Sequence, residues 1–171
     1  MLIKSISDIV PLIDNSCKLL PFPYNDGVRK LILGTAACES LFHIRKQVHG
    51  PARGLWQMEP NTAISIYKDF MKYHSDVYKV FVDNFGDPPS FKCPSKDIIS
   101  NRLVIDDRYA CAMARVKYAW DKERIPSNLE DIAIYYKRVY NTFLGKGSAE
   151  RFLAMWKQLK CDKLLKEAGY A

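Results

Sequence analysis

Residues 33–62 read LGTAACESLFHIRKQVHGPARGLWQMEPNT, and the approach to that stretch decides the fold. Val28, Leu31, Ile32, Thr35, Cys38 and Phe42 recur three or four apart, the spacing of one face of an α-helix. Asn25 or Asp26 caps that helix, which is predicted over 27–43. Glu39 falls one residue past Cys38 and four past Thr35, on the edge of the buried stripe. A carboxylate there is half desolvated yet open to a cleft. Desolvation disfavours its charged form and raises its pKa, which makes Glu39 a candidate general acid. His49-Gly50-Pro51 ends the helix, and Gly54 permits a backbone conformation that other residues resist. In the compact segment Gly54–Pro60, Gln57 offers an amide hydrogen-bonder to a sugar and Trp56 a stacking face, although a lone Trp beside a turn is more often packing.

Outward from this stretch the chain reads as helix after helix. Residues 5–20 form one with Pro11 in its first turn, ended by Pro21-Phe22-Pro23. After Pro60, with Asn61 or Thr62 as cap, a helix runs to about Lys72. Others are predicted over 73–85, ended by Gly86-Asp87-Pro88-Pro89, over 96–101 with Ser95 as cap, and over 106–123. Ser127-x-x-Glu130 is a capping box for a helix carrying Ile132, Ala133, Tyr135, Tyr136, Val139 and Tyr140. Gly145-Lys146-Gly147 interrupts it. Two last helices follow over 148–160 and 162–168, the second stopped by Gly169 as the residue past its end. No stretch alternates as a strand does, which leaves room only for a small hairpin near the Gly54 loop. The expectation is one all-α domain over 1–171 of about eight helices, with 1–25 an N-terminal helical extension lying across the core as a lid or brace.

The pair Glu39-Ser40, the segment Gly54-Leu55-Trp56-Gln57-Met58-Glu59-Pro60 and a later Tyr140-Asn141 resemble, in order and spacing, the three marks of soluble SLT-type lytic transglycosylases, relatives of goose-type lysozymes. The resemblance covers about residues 26–145. It implies a lysozyme-like fold of two lobes with a central cleft, and peptidoglycan glycan strands as substrate. Glu39 would be the single acid/base, cleaving the MurNAc-β-1,4-GlcNAc bond and yielding a 1,6-anhydro product. Ser40, Gln57, Met58 and Asn141 would contact the sugar or the acid. The third mark fits two tyrosines. Tyr140-Asn141 keeps Tyr-Asn, whereas Ala133-Ile134-Tyr135 keeps Ala-x-Tyr. Five residues apart on one α-helix, Tyr135 and Tyr140 point about 140° apart, so both cannot serve one position. Glu59 departs from the family, which usually has an apolar residue before the proline. A second carboxylate in the cleft could position water and make the enzyme hydrolytic; otherwise Glu59 complements a helix dipole.

The net charge of +7 among 171 residues favours anionic partners. Lys and Arg are scattered rather than clustered, which argues against nucleic acid. The five cysteines match no zinc pattern, and no metal or cofactor is implied. Cys38 beside Glu39, with His43 and His49 nearby, prompts a thiol-nucleophile reading, but no accompanying signature is present. No run is long and apolar enough to span a membrane, and the first twenty residues lack a signal peptide's uninterrupted apolar region. The expected setting is therefore a monomer made in a host cytoplasm that acts on the bacterial wall, as a phage lysin or virion component does. The rival readings are a hydrolytic muramidase, an inactive glycan- or virion-binding domain, and a basic nucleic-acid binder.

Overall fold

The computed structural model describes residues 1–141 and 147–170, and among them every regular element is helical. The nine α-helices among the described residues are α1 (Ile9–Cys17), α2 (Asp26–Ser40), α3 (Pro60–Ser65), α4 (Ser75–Phe85), α5 (Lys96–Ile105), α6 (Asp107–Trp120), α7 (Leu129–Tyr136), α8 (Ala149–Gln158) and α9 (Cys161–Glu167). The chain is all-α, and no helix among the described residues is long and apolar enough to cross a membrane. The hairpin anticipated near Gly54 is reduced to two isolated antiparallel bridges, Lys46 to Arg53 and Arg53 to Met58.

Caps explain most boundaries. The Asn25 side chain accepts the Val28 amide and starts α2; Ser95 does the same for Ile98 on α5, and Ser148 for Arg151 on α8. Five predicted ends move. Helix α2 stops at Ser40 rather than His43, because Leu41 and Phe42 both take left-handed backbone conformations and the amides of His43 and Ile44 turn back onto the Ser40 carbonyl. Helix α3 is capped at Glu59, not Asn61 or Thr62, with Pro60 in the first helical position, where its missing N–H costs nothing. Helix α7 is capped by Asn128, which accepts the Asp131 amide, not by Ser127. Helix α5 is longer than predicted, reaching Ile105, and α6 shorter, ending at Trp120. Residues 142–146, including Gly145 and Lys146 of the predicted interruption, lie outside the described residues.

The core is organised around α2 and α6. Helix α2 packs on α1, α7 and α8, and α6 touches α1 and α2 as well as α5 and the Ile66–Phe70 turn that continues α3. The N-terminal helix is part of the core: Ile9, Leu12 and Ile13 are buried against these neighbours. Gly34 sets how closely α2 and α8 approach, since a Cβ there would stand 2.0 Å from Cζ of Phe152. That contact fixes the first turn of α8, and with it Arg151, beside the end of α2.

Candidate active site

Glu39 occupies the last turn of α2, half-buried, and lines a cleft of about 860 Å³ with Gln57, Met58, Glu59, Tyr136 and Asn141. Burial pushes its carboxyl above the ordinary carboxylate range, and a helix C-terminus disfavours negative charge as well. Hydrogen bonds from Tyr136 and Asn141, and the positive charges of Lys117 and Arg151, act in the opposite direction. The Tyr136 hydroxyl donates to Oε1 at 2.5 Å, and the Asn141 amide approaches the same oxygen at 3.4 Å. The acid is therefore biased towards holding a proton, while two donors stand ready for the anion left when it gives the proton up.

Tyr136 and Asn141 are five residues apart, and in an α-helix their side chains would diverge by about 140°. They meet on one oxygen because Lys137–Asn141 is a π-helical turn, whose i→i+5 repeat brings such positions into line. Asn141 is itself held in place: its Oδ1 accepts from the Gly147 amide and the Lys137 ammonium, both at 3.0 Å. Gly147 must be glycine at this distance, because a Cβ would come within 2.6 Å of the Asn141 amide nitrogen and 2.8 Å of the Tyr136 hydroxyl.

The opposite wall is the 41–59 connection, pinned at three points. Arg45 forms an ion pair with the buried Asp107 carboxylate at the start of α6. Trp56 is fully buried and donates its indole N–H to the Ile32 carbonyl at 3.0 Å, so it belongs to the core and is no sugar platform. Tyr140 donates its hydroxyl to the Trp56 carbonyl at 2.6 Å. Between these pins Arg53 and Met58 exchange backbone hydrogen bonds at 3.0 Å around a turn. Within it Gly54 and Gln57 both have positive φ, and the Gln57 amide is anchored on the carbonyls of Gly54 and Ile44.

Of the residues anticipated from the sequence, the structure brings Glu39, Gln57, Met58, Tyr140 and Asn141 to one cleft, and Glu59 with them. Two expectations fail. Ser40 is fully buried with its hydroxyl on the Ala36 carbonyl of its own helix, and it does not line the cleft. Tyr135 stacks on Tyr118 and points its hydroxyl at the Tyr118 carbonyl and Asp121, both 3.5 Å away. The hydroxyl on the acid comes instead from Tyr136, whose ring stacks on that of Tyr140 four residues later. Lys117, from α6, was also missed. Its ammonium donates to the Tyr140 carbonyl at 2.9 Å and lies 4.0 Å from the Tyr140 ring centre. Burial pushes it down to about 8, with Glu39 and Glu59 pulling it back up. With Arg115 it is one of two cations in the otherwise uncharged run 111–120.

Cys38 does not behave as a nucleophile. Burial pushes its thiol up, whereas an attacking thiolate needs a depressed pKa, and the exposed His43 ring bonds to the Leu41 carbonyl. No group of three or more metal-ligating side chains occurs among the described residues. No protein-family model matches the chain, and no curated protein or solved structure does either.

Proposed function

We propose that this protein is a glycosidase of peptidoglycan, a lytic transglycosylase in which Glu39 serves as both acid and base, on a lysozyme-like helical fold whose α2–α8 and α3–α5 groups form the two lobes. One observation carries the reading: a carboxyl held above its ordinary range at the end of α2, hydrogen-bonded by Tyr136 and facing the Gln57-Met58 wall across an open cleft. The resemblance of Glu39-Ser40, Gly54–Pro60 and Tyr140-Asn141 to the family's marks adds to it. Protonated Glu39 gives its proton to the glycosidic oxygen as the C1–O bond breaks, and the departing GlcNAc leaves with a hydroxyl. The Glu39 carboxylate, supported by Tyr136 and Asn141, then takes the proton of the C6 hydroxyl while O6 bonds to C1. The 1,6-anhydro ring closes, no water is consumed, and Glu39 is returned protonated.

Glu59 favours a second reading, hydrolysis. It is exposed, lines the same cleft and stands at the cap of α3, where a carboxylate can orient water as the second acid of a glycosidase does. Digestion of purified peptidoglycan with wild type and Glu39→Gln, followed by mass spectrometry of the fragments, separates the readings. Products one water lighter than hydrolytic fragments, absent with the variant, support transglycosylation. Free reducing ends support hydrolysis and direct attention to Glu59→Gln. No release from several wall types overturns the enzymatic reading and leaves a glycan-binding domain.

A further inference from the structure

Two cations that line the cleft form no ion pair among the described residues. The charged residues lining it among those described are Glu39, Glu59, Lys117 and Arg151. Lys117 spends one donor on the Tyr140 carbonyl and makes no ion pair there. Arg151 reaches only the Cys38 carbonyl, at 3.5 Å, with its guanidinium. An ammonium has three donors and a guanidinium five, so among the described residues most of this donor capacity meets no acceptor. With Glu39 protonated, as its role as acid requires, the four groups sum to one positive charge. A half-buried ammonium without a counter-ion in contact is costly, and a ligand that brings an anion relieves that cost.

We propose that Lys117 and Arg151 form a carboxylate-reading subsite, so that the cleft selects glycan carrying a free carboxylate on the sugar next to the scissile bond, such as the 3-O-lactyl group of a muramoyl residue stripped of peptide. The proposal rests on the glycan-cleaving reading of the same cleft and adds a specificity to it. Arg151 projects from the first turn of α8, locked to α2 at Gly34 and Phe152, and Lys117 comes from α6 beneath the Tyr140 ring. The two cations thus stand on helices that line the same cleft as Glu39.

The test uses two probes at pH 6: peptide-free strands of alternating GlcNAc and MurNAc with free lactyl carboxylates, and the same strands converted to methylamides. Binding is measured by calorimetry to the full-length Glu39→Gln protein, which holds substrate without turnover. The acid strands are expected to bind roughly ten- to a hundredfold tighter than the amides. The preference should weaken with salt, vanish in Lys117→Gln/Arg151→Gln on the same background, and return in part with Lys117→Arg. Equal binding of the two probes, binding of neither, or a preference that survives the double substitution overturns the proposal. Wild-type turnover of the same strands is scored separately. Turnover with equal binding leaves the enzyme and removes the subsite, and carboxylate-dependent binding without turnover does the reverse.

Discussion

Asp14 and Glu39 are chemically near twins in different settings, and the difference between them separates a permanent anion from a carboxyl biased towards its proton. Both are largely shielded carboxyls fed by tyrosine hydroxyls. Asp14, on α1, accepts from Tyr24, from Tyr170 at 2.6 Å and from Nε of Arg29 at 2.8 Å, and the Arg29 guanidinium lies 3.6 Å from the Tyr170 ring centre. Burial alone would raise its pKa, but the hydrogen bonds from Tyr170, Tyr24 and Arg29 outweigh burial and hold it below the ordinary range. Glu39 has Tyr136 and Asn141, while Lys117 and Arg151 act on it only through space; burial wins and the shift changes sign. Two unit charges at contact near a protein surface attract by ~4 kcal/mol, and by half that at twice the distance. A cation in contact makes a permanent anion; a cation held back leaves a carboxyl that can still carry a proton.

The largest effect expected is on the acid. Glu39→Gln should lower the rate of muropeptide release by about 10²- to 10⁴-fold with an unchanged or higher Tm, since a shielded carboxyl is replaced by a neutral amide. The permanent anion should respond the other way. Asp14→Ala leaves the Arg29 guanidinium, which is 9% exposed, with only the more distant Asp26 carboxylate at 3.5 Å, and should cost about 3 kcal/mol in chemical denaturation. Because the folded pKa of Asp14 is depressed, its contribution is present above the unfolded value of about 3.9 and is lost as pH falls through the folded value. Wild-type and Asp14→Asn stabilities should therefore converge on acidification.

Arg29→Met would turn the Asp14 site into a second Glu39-like site. The carboxyl can take up a proton whereas the guanidinium could not, so the cost should be smaller, about 2 kcal/mol, and titration by NMR should place Asp14 above the ordinary carboxylate range. Tyr136→Phe removes a donor that favours the Glu39 anion, so the carboxyl should rise further. The alkaline limb of the pH–rate profile, where the acid form is lost, should move up by about one unit while the peak rate falls about tenfold. Ser40→Ala should matter least, costing about 0.5–1 kcal/mol of stability and leaving the rate of glycan cleavage unchanged. A large loss of rate would return Ser40 to the site.

The helical character of the chain, the Asn25 cap, the position of Glu39 at the edge of the α2 stripe and the Gln57-Met58 wall were legible because each depends on a local rule: periodicity, a capping side chain, a glycine-permitted turn. Tyr136 was not, because the choice between Tyr135 and Tyr140 assumed regular α-helical spacing through residue 141, and the π-helical turn changes that spacing. Ser40 was misplaced for a related reason. Its motif gives a residue type at a position, but the left-handed pair Leu41-Phe42 ends the helix there and leaves the hydroxyl folded against Ala36. Lys117 lies far from the motif in sequence, and only tertiary contact brings α6 beneath Tyr140. The residues that carry the resemblance gather at one cleft, but the hydroxyl on Glu39 is that of Tyr136.

The π-helical turn at Lys137–Asn141 makes the site a matter of arithmetic as well as chemistry. One residue more than a regular helix needs lets Asn141 arrive over Tyr136, so the register of the chain carries information that no single side chain does. A scan of point substitutions across 137–139 would pass over this, since every replacement preserves the count. Removing Val139 alone would relax the turn to ordinary pitch and swing the amide off the carboxyl. In this stretch a deletion series would read out the design, and the number of residues would be conserved more strictly than their identity.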